Sequence, residues 1–316
     1  MDLVSVLLPL YREPLAVARC AIESILRQSY EKLEILLLLD DPSNKDLCSL
    51  IKTYAESDVR VKAVVNEHNL GIVGNLNQGI DLSTGDYICR MDADDIADLQ
   101  RIEIQVNALA KDNLDLVGGE MDVIDEAGCF LYSVQLPLNC KHVKQALRWN
   151  NCVPHPTWLG KRSVFQKKYR NFPFCEDYDF LLRSSLAGER IGNCGFSVLK
   201  YRMGSDSLSR SNLFKQFIAQ RYLTSSFRKN TLPSIEEAWN EVESCSSIKE
   251  QGYLKANTVF NEALANLHNK RIAASALQLL EIPLLSWSYL DKILRLAIAS
   301  SYCCLLYKSD AADDRI

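Results

Sequence analysis

The chain has 316 residues, of which 47% are hydrophobic and 24% charged, and its formal net charge is -4. This size and apolar content are typical of one sizeable α/β domain with an additional region, and they argue against intrinsic disorder. The negative charge argues against nucleic acid as a partner, because such binding needs a strongly basic surface to displace counterions from phosphates.

The first 99 residues alternate short apolar runs with amphipathic segments. The apolar runs predict four strands, at 3–8, 33–39, 61–65 and 86–91. Apolar residues with helical spacing predict three helices between these strands, at 15–28, 47–54 and 75–82. This alternation predicts a mostly parallel, doubly wound sheet flanked by helices, which is an α/β fold.

Polar residues follow three of the four predicted strands. Tyr11-Arg12-Glu13 follows the first strand, Asp40-Asp41 the second, and the segment 92–95 the fourth. In open α/β sheets ligands bind beyond the carboxyl ends of the strands, so these clusters should converge on one edge. The first turn lacks the glycine-rich fingerprint of a dinucleotide site, and the P-loop pattern is also absent.

Asp92, Asp94 and Asp95 bring three carboxylates together on one short loop. A divalent cation held by one or two carboxylates keeps its other positions for water and substrate phosphates, so this loop predicts a metal–diphosphate site. A solvated turn that caps the next helix is the alternative, and it accounts for most isolated Asp-x-Asp sequences. A calcium EF-hand is disfavoured, because Ala97 stands where that loop requires glycine.

Beyond residue 100 the strand–helix alternation ends. The pattern predicts a helix at 100–111 and then an antiparallel hairpin at the edge of the sheet, at 116–135. Glu176 and Asp177 precede an apolar helix predicted at 180–187. Acidic residues at a helix start are also favoured by the helix dipole, so capping alone is the alternative to a chemical role.

From residue 213 onward the pattern is helical, and we place a domain boundary near Asn212, between a 1–212 domain and a 213–316 region. Aromatic and basic residues alternate in 213–229, which suits a membrane interface, although packing against the preceding domain explains the same pattern. No segment has the length and apolarity of a membrane span, and the tail 309–316 is predicted to be disordered.

The compartment is predicted from the start of the chain and from its cysteines. The first residues lack the basic region and cleavage site of a signal peptide. The 11 cysteines show no Cys-x-x-Cys spacing, which argues against a disulfide framework or a zinc ribbon. Both features favour a cytoplasmic protein.

Taken together, the motifs resemble those of the inverting family-2 glycosyltransferases with a GT-A fold, particularly the bacterial enzymes of O-antigen and capsular polysaccharide synthesis. The similarity covers roughly the first two thirds of the chain. It rests on the segments 4–11, 24–30, 40–41, 69–71, 75–79, 85–88, 92–95, 155–156 and 176–177.

The resemblance implies a role for each of these polar residues. Contacts to the nucleotide-sugar are implied for Pro9, Tyr11, Glu13, Asp41, Asn69, Asn75, Asp92 and Arg202. The ligands implied for Mn²⁺ or Mg²⁺ are Asp94, Asp92 and Asp95. Asp177 is implied as the catalytic base with Glu176 as its catalytic neighbour, and His155 as a contact to the acceptor, although a histidine between two prolines is equally typical of a structural turn.

The resemblance therefore predicts a metal-dependent, inverting hexosyltransferase of surface polysaccharide or lipopolysaccharide synthesis. Its nucleotide-binding half would be 1–99, its acceptor half 100–212, and its C-terminal helices would associate peripherally with the inner face of the cytoplasmic membrane. The substrates would be a UDP-sugar, carrying a hexose or N-acetylhexosamine, and a lipid-linked saccharide. The alternatives are a sugar nucleotidyltransferase, which should have a glycine-rich basic loop after its first strand, and a non-catalytic saccharide-binding protein on the same fold.

Overall fold

A nine-stranded sheet organises the part of the chain that this computed structural model describes, residues 2–204, 212–268 and 270–304. The predicted disordered tail, 309–316, lies outside these residues. The strands are β1 (Val4–Leu10), β2 (Leu33–Leu39), β3 (Val61–Val65), β4 (Tyr87–Arg90), β5 (Ile96–Ala97), β6 (Leu116–Ile124), β7 (Phe130–Val134), β8 (Leu159–Lys161) and β9 (Ile191–Arg202). Their order is β3-β2-β1-β4-β8-β6-β9-β5, and β7 pairs with β6.

Helices connect and cover these strands. In the first two thirds they are α1 (Leu15–Leu26), α2 (Lys45–Ser57), α3 (Gly71–Leu82), α4 (Arg101–Lys111), α5 (Cys140–Ala146), α6 (Arg162–Phe165) and α7 (Glu176–Leu186). A 3-10 turn occupies His155–Thr157. The C-terminal region contains α8 (Leu213–Arg228), α9 (Ile235–Glu243), α10 (Ser247–His268), α11 (Ile272–Leu285) and α12 (Trp287–Cys304).

The four strands predicted from the N-terminal half form a parallel unit, as expected. β1 pairs in parallel with both β2 and β4, and β2 pairs in parallel with β3. β1 and β2 are buried along their whole length, because helices cover both faces of a parallel sheet. This arrangement confirms the predicted α/β class.

The second half of the sheet is mixed. β8 pairs antiparallel with β4 and β6, whereas β6 and β9 are parallel. The predicted hairpin forms from β6 and β7, but the prediction that it lies at the sheet edge is wrong for β6, which lies between β8 and β9. The turn signal is local, whereas pairing with β9 depends on residues about 75 positions further along the chain, which the pattern did not identify as a strand.

Two helices begin four residues earlier than their apolar spacing predicts. α3 begins at Gly71 instead of residue 75, and the Asn69 side chain accepts a hydrogen bond from the Gly71 amide, 2.9 Å away. α7 begins at Glu176 instead of residue 180, with acidic residues in its first turn. The acidic first turn of α7 stabilises the helix start without contributing to its apolar stripe, and the first turn of α3 contains two glycines that weaken its helical signal, so the pattern misses both.

The C-terminal helices pack on the same hydrophobic core as α7. Phe180 of α7 belongs to one cluster with Phe214 and Phe217 of α8 and with Tyr253 of α10, and all four side chains are buried. Of the two explanations for the aromatic residues of this region, packing against the preceding domain therefore applies to Phe214 and Phe217. The domain boundary near Asn212 stays a prediction. Among the described residues, no helix is both long and apolar enough to cross a membrane.

Asp179 ties the start of α7 to the loop before it. Its carboxylate is fully buried and accepts hydrogen bonds from Arg170 and, at 2.9 Å, from Arg183 Nε. Arg170 also donates to the backbone oxygen of Pro233, 3.1 Å away, in the connection between α8 and α9. This buried ion-pair cluster therefore holds three parts of the chain together.

We expect Asp179→Ala to lower the free energy of unfolding by about 3–5 kcal/mol, because it leaves two arginines without their buried partner. Urea denaturation monitored by circular dichroism measures this loss. The control is Asp81→Ala, which removes a mostly exposed carboxylate from its ion pair with Lys168 and should cost less than about 1 kcal/mol. Equal losses in the two variants would contradict the prediction.

Candidate active site

A cavity of about 1070 Å³ lies beyond the carboxyl ends of β1, β2 and β4. Ten of the sequence-predicted site residues line it: Pro9, Tyr11, Glu13, Asn69, Asn75, Asp92, Asp94, His155, Glu176 and Asp177. The three polar clusters therefore converge, as expected for an open α/β sheet. Asp41, Asp95 and Arg202 are not among the described residues that line the cavity.

The cavity wall at the ends of β1 and β2 carries polar side chains that are held in place by hydrogen bonds within the protein. Asp40, which the sequence analysis placed in a polar cluster without an individual role, lines the cavity and accepts hydrogen bonds from Asn66 Nδ2 at 2.7 Å and from the Leu70 amide at 2.8 Å. Asn75 donates to the backbone oxygen of Leu38, 3.0 Å away. These buried groups are fixed before any ligand arrives, which suits recognition of a nucleotide base or ribose.

Asp41 lies next to this wall and has a different environment. Its carboxylate accepts a hydrogen bond from Arg12 Nε at 3.0 Å and others from Ser43. The Ser43 hydroxyl and the Arg12 guanidinium lower the pKa of Asp41. Direct contact between Asp41 and a nucleotide stays a prediction.

The loop after β4 brings Asp92, Asp94 and Asp95 together, with one oxygen of each carboxylate within 4.8 Å of the others. Burial, followed by repulsion from Asp92, raises the pKa of Asp94 to about 6 and that of Asp95 well above its usual range. Asp95 Oδ1 accepts from the Arg202 amide at 2.8 Å, while its buried Oδ2 has no partner among the described residues. A divalent cation would relieve this repulsion, so these residues fit the predicted Mn²⁺ or Mg²⁺.

Arg90 is a site residue that the sequence analysis missed. It ends β4, lines the cavity, and is only 4% exposed. Its guanidinium makes a two-point ion pair with Asp92, with 2.8 Å between Nη1 and Oδ2. Its charge also lowers the pKa values of Glu176 and Asp177, against the larger effect of their burial. Arg90 is thus a buried cation that pairs with Asp92 of the acidic loop and also lowers the pKa values of Glu176 and Asp177.

Glu176 and Asp177 enter the cavity from the first turn of α7. Asn151, also missed by the sequence analysis, donates to Asp177 Oδ2 at 3.0 Å, and the Tyr178 amide donates to Oδ1 at 2.7 Å. Burial raises the pKa of Asp177, and burial together with the neighbouring Asp177 charge raises the pKa of Glu176 to about 7. A buried carboxylate with a raised pKa suits a general base.

His155 lines the cavity but is mostly buried. Its Nε2 lies 2.8 Å from the Tyr169 hydroxyl, and its ring meets the edge of Trp158 with 4.5 Å between centroids. Burial, reinforced by the Arg90 charge, holds the pKa of His155 well below its usual range, so the ring is neutral. Its contact with an acceptor stays a prediction.

Arg202 lies outside the cavity lining and supports the acidic loop from behind. Its guanidinium donates to the backbone oxygens of Asp94, at 3.0 Å, and of Glu126, at 2.8 Å. These bonds connect the β6–β7 turn to the loop after β4. Contact between Arg202 and the nucleotide-sugar stays a prediction.

The sequence matches known proteins over more than half of its length. Residues 5–170 match the model of the family described as Glycosyl transferase family 2. An uncharacterized glycosyltransferase of Methanocaldococcus jannaschii is 30% identical over 232 residues, which are 72% of this chain and 80% of that protein. The UDP-Glc:alpha-D-GlcNAc-diphosphoundecaprenol beta-1,3-glucosyltransferase WfgD of Escherichia coli is 30% identical over 240 residues, 74% of this chain and 89% of its own.

Two further comparisons extend this similarity. The O-antigen biosynthesis glycosyltransferase WbnJ of Escherichia coli is 29% identical over 237 residues, 73% of this chain and 92% of that protein. The structure of S. aureus TarS 1-349 in complex with UDP-GlcNAc superposes with a TM-score of 0.60, covering 95% of this chain and 91% of TarS at 15% identity. At that identity the superposition shows a shared fold, which confirms the predicted fold class.

Proposed function

The chain belongs to glycosyl transferase family 2 and is a glycosyltransferase, and from that premise we propose that it is an inverting, metal-dependent hexosyltransferase of surface polysaccharide synthesis. The proposed donor is a UDP-sugar carrying a hexose or N-acetylhexosamine, and the proposed acceptor is a lipid-linked saccharide. Asp94 and Asp177 carry this proposal, because one cavity contains both an acidic cluster fit for a metal–diphosphate and a carboxylate pair fit for a base.

The donor site is assigned to the half of the cavity formed by β1, β2 and β4. Asp40, Asn69 and Asn75 would bind the base and ribose there, and the diphosphate would lie at the acidic loop. Mn²⁺ or Mg²⁺ held by Asp94, with Asp92 and Asp95, would supply positive charge to offset that of the departing UDP.

The acceptor reaction is assigned to Asp177. A hydroxyl oxygen of the acceptor attacks the anomeric carbon on the face opposite UDP, and the bond from that carbon to the diphosphate oxygen breaks. The Asp177 carboxylate takes the hydroxyl proton, and Asn151 orients that carboxylate through its 3.0 Å hydrogen bond. One displacement from the opposite face inverts the anomeric centre, and the products are UDP and the elongated saccharide.

The relatives support the substrate classes in this proposal. WfgD is named for UDP-Glc and for a diphosphoundecaprenol acceptor, and TarS was solved with UDP-GlcNAc. The UDP-sugars in both names contain a diphosphate, which the acidic loop and its proposed metal would bind. For this chain the sugar donor and the lipid-linked acceptor remain part of the proposal.

The proposal includes peripheral attachment to the inner face of the cytoplasmic membrane. α11 and the start of α12 expose large apolar side chains, among them Leu280, Leu284 at 87% exposure and Trp287 at 74%. Exposed aliphatic and tryptophan side chains on neighbouring helices suit insertion among lipid headgroups. Such attachment would bring the cavity to a lipid-linked acceptor.

The experiment is an assay of UDP release by the purified chain. A panel of UDP-hexoses and UDP-N-acetylhexosamines is combined with Mn²⁺ or Mg²⁺ and with undecaprenyl-diphosphate-linked mono- and disaccharides. We expect at least one pair to give UDP release that depends on acceptor and stops in EDTA, and a product of inverted anomeric configuration by NMR. A retained configuration, or turnover that is unchanged in EDTA, would contradict the mechanism.

The raised pKa of the Glu176–Asp177 pair predicts a pH dependence. Protonation of Asp177 removes the carboxylate that accepts the proton, and burial raises the pKa of Asp177, so kcat/KM should begin to fall at a higher pH than it would with an ordinary aspartate as the base. Arg90→Met removes a cation that lowers both pKa values, so the fall should begin at higher pH. Arg90→Lys keeps the charge and should shift the profile less. A profile that is flat from about pH 5 to 9, or a shift to lower pH in Arg90→Met, would rule out this assignment.

A further inference from the structure

A second cavity, which we call the helical cavity, lies between α8, α9 and the start of α10. Its volume is about 540 Å³, within the range of roughly 300–1,000 Å³ that is common for small-molecule sites. Phe174 lines both this cavity and the active-site cavity. Since Phe174 precedes Glu176 by two residues, the helical cavity begins directly beside the acceptor end of the active site.

The lining of the helical cavity combines aromatic rings with charged groups. Phe174 and Trp239 are half-buried, with 6.0 Å between their ring centroids. Lys215, Glu243 and Glu250 also line the cavity, and no ion pair among the described residues includes any of them. Sugar rings present apolar C–H faces and polar hydroxyl edges, so aromatic rings with uncommitted charged groups match both surfaces of a saccharide.

The backbone at Phe174 supports a functional role for this wall. Phe174 has φ of +57°, a left-handed conformation that is unfavourable for an aromatic residue. Gln216, which lines the active-site cavity, donates to the Phe174 backbone oxygen at 3.4 Å, and its own backbone oxygen accepts from Cys175 Sγ at 3.6 Å. Contacts from α8 thus hold a strained residue between the two cavities, and such strain is concentrated at functional sites.

The position of the helical cavity indicates that it would bind part of the acceptor and not part of the donor. The residues assigned to the nucleotide come from β1, β2 and the start of α3, and none of these residues lines the helical cavity. The residues near the junction are Phe174 and Gln216, which flank the Glu176–Asp177 pair assigned to the acceptor. A saccharide with its reactive hydroxyl at Asp177 would therefore extend past Phe174.

We propose that the helical cavity is an acceptor subsite, which binds the sugar units of the growing saccharide that precede the unit being elongated. Trp239 and Phe174 stack against these sugar units. Lys215, Glu243 and Glu250 form hydrogen bonds with the hydroxyl groups of the sugars. This inference rests on the proposed function. It adds a preference for acceptors long enough to reach the second cavity.

The test is direct binding of soluble oligosaccharides, measured by saturation-transfer NMR with UDP and Mn²⁺ present. The probes are labelled hexose and N-acetylhexosamine oligomers of one to four units, at up to about 10 mM. We expect at least one oligomer of three or four units to bind wild type, and Trp239→Ala to weaken that binding about tenfold. Lys215→Met should weaken it less, and binding of monosaccharides should not change.

Two matched controls lie beside the helical cavity without lining it. Ile248→Ala truncates an exposed apolar residue in the first turn of α10, and Lys249→Met removes an exposed lysine of the same turn. Neither variant should alter oligosaccharide binding. The proposal is overturned if no oligomer binds wild type, or if Trp239→Ala and Ile248→Ala bind the same oligomer equally.

The binding test separates this proposal from the proposed function. Oligomer binding that depends on Trp239, with no UDP release from any donor and acceptor, would refute the proposed transfer from a UDP-sugar and leave the helical cavity as a saccharide-binding site. UDP release that Trp239→Ala leaves unchanged for acceptors of every length would refute the subsite alone.

Discussion

Asp94→Asn should lower kcat by about a thousandfold or more. Asp94 lines the cavity, and its carboxylate is one of three whose oxygens lie within 4.8 Å of one another. An amide oxygen carries no net charge, so the site would bind a divalent cation more weakly and offset less charge on departing UDP. Metal-dependent UDP release measures kcat, and calorimetry with UDP and Mn²⁺ measures the loss of affinity.

A matched control lies four residues further along the chain. Asp98 is exposed, and its Oδ1 accepts a hydrogen bond from the Gln100 amide at 2.9 Å, which an asparagine side chain can also do. Asp98→Asn should therefore keep full activity and metal affinity. Turnover at the wild-type rate in Asp94→Asn, with Mn²⁺ affinity unchanged, would remove the acidic loop from the mechanism.

Asp177→Asn should lower kcat by about 10²- to 10⁴-fold, the usual contribution of a general base. The substitution keeps the shape of the side chain at the start of α7 but removes the group that accepts the proton. The donor site lies on the other wall, so affinity for UDP and Mn²⁺ should stay within about twofold of wild type. This combination of lost turnover and retained binding distinguishes a base from a donor ligand.

Glu176→Gln is the informative comparison for this variant. Glu176 lines the same cavity, but Asn151 orients Asp177 and not Glu176. We expect Glu176→Gln to retain more activity than Asp177→Asn and to lower the pH at which activity begins to fall, because Asp177 then titrates without the negative charge of Glu176 beside it. If Glu176→Gln loses more activity than Asp177→Asn, the two roles are exchanged.

Much of the N-terminal half could be predicted from local sequence pattern. The strand predicted at 61–65 forms as Val61–Val65, and the one predicted at 33–39 forms as Leu33–Leu39. Both are short apolar runs between polar segments, and burial of parallel strands produces that pattern directly. The carboxylates of Asp92, Asp94 and Asp95 were likewise visible, because they are adjacent in the chain.

Residues that reach the cavity from unrelated parts of the chain could not be predicted in this way. Arg90 lies within a strand, where its neighbours predict only burial, and its partner Asp92 is separated from Glu176 by more than 80 residues. Asn151 belongs to an irregular segment without periodicity, and only its 3.0 Å bond to Asp177 identifies it. Long-range pairs of this kind leave no periodic signal in a single sequence.

By itself, the sequence determined the order of strands and helices as far as β4 and the carboxylates that follow that strand, because periodicity and adjacency are local properties. Only the tertiary structure decided that these carboxylates share one cavity with Glu176 and Asp177, with the buried charge of Arg90 acting on both. It also decided that Phe174 separates two cavities. These relations depend on packing between segments that are far apart in the chain. The burial of each of these side chains, and the charges beside it, come from residues that no local sequence pattern identifies.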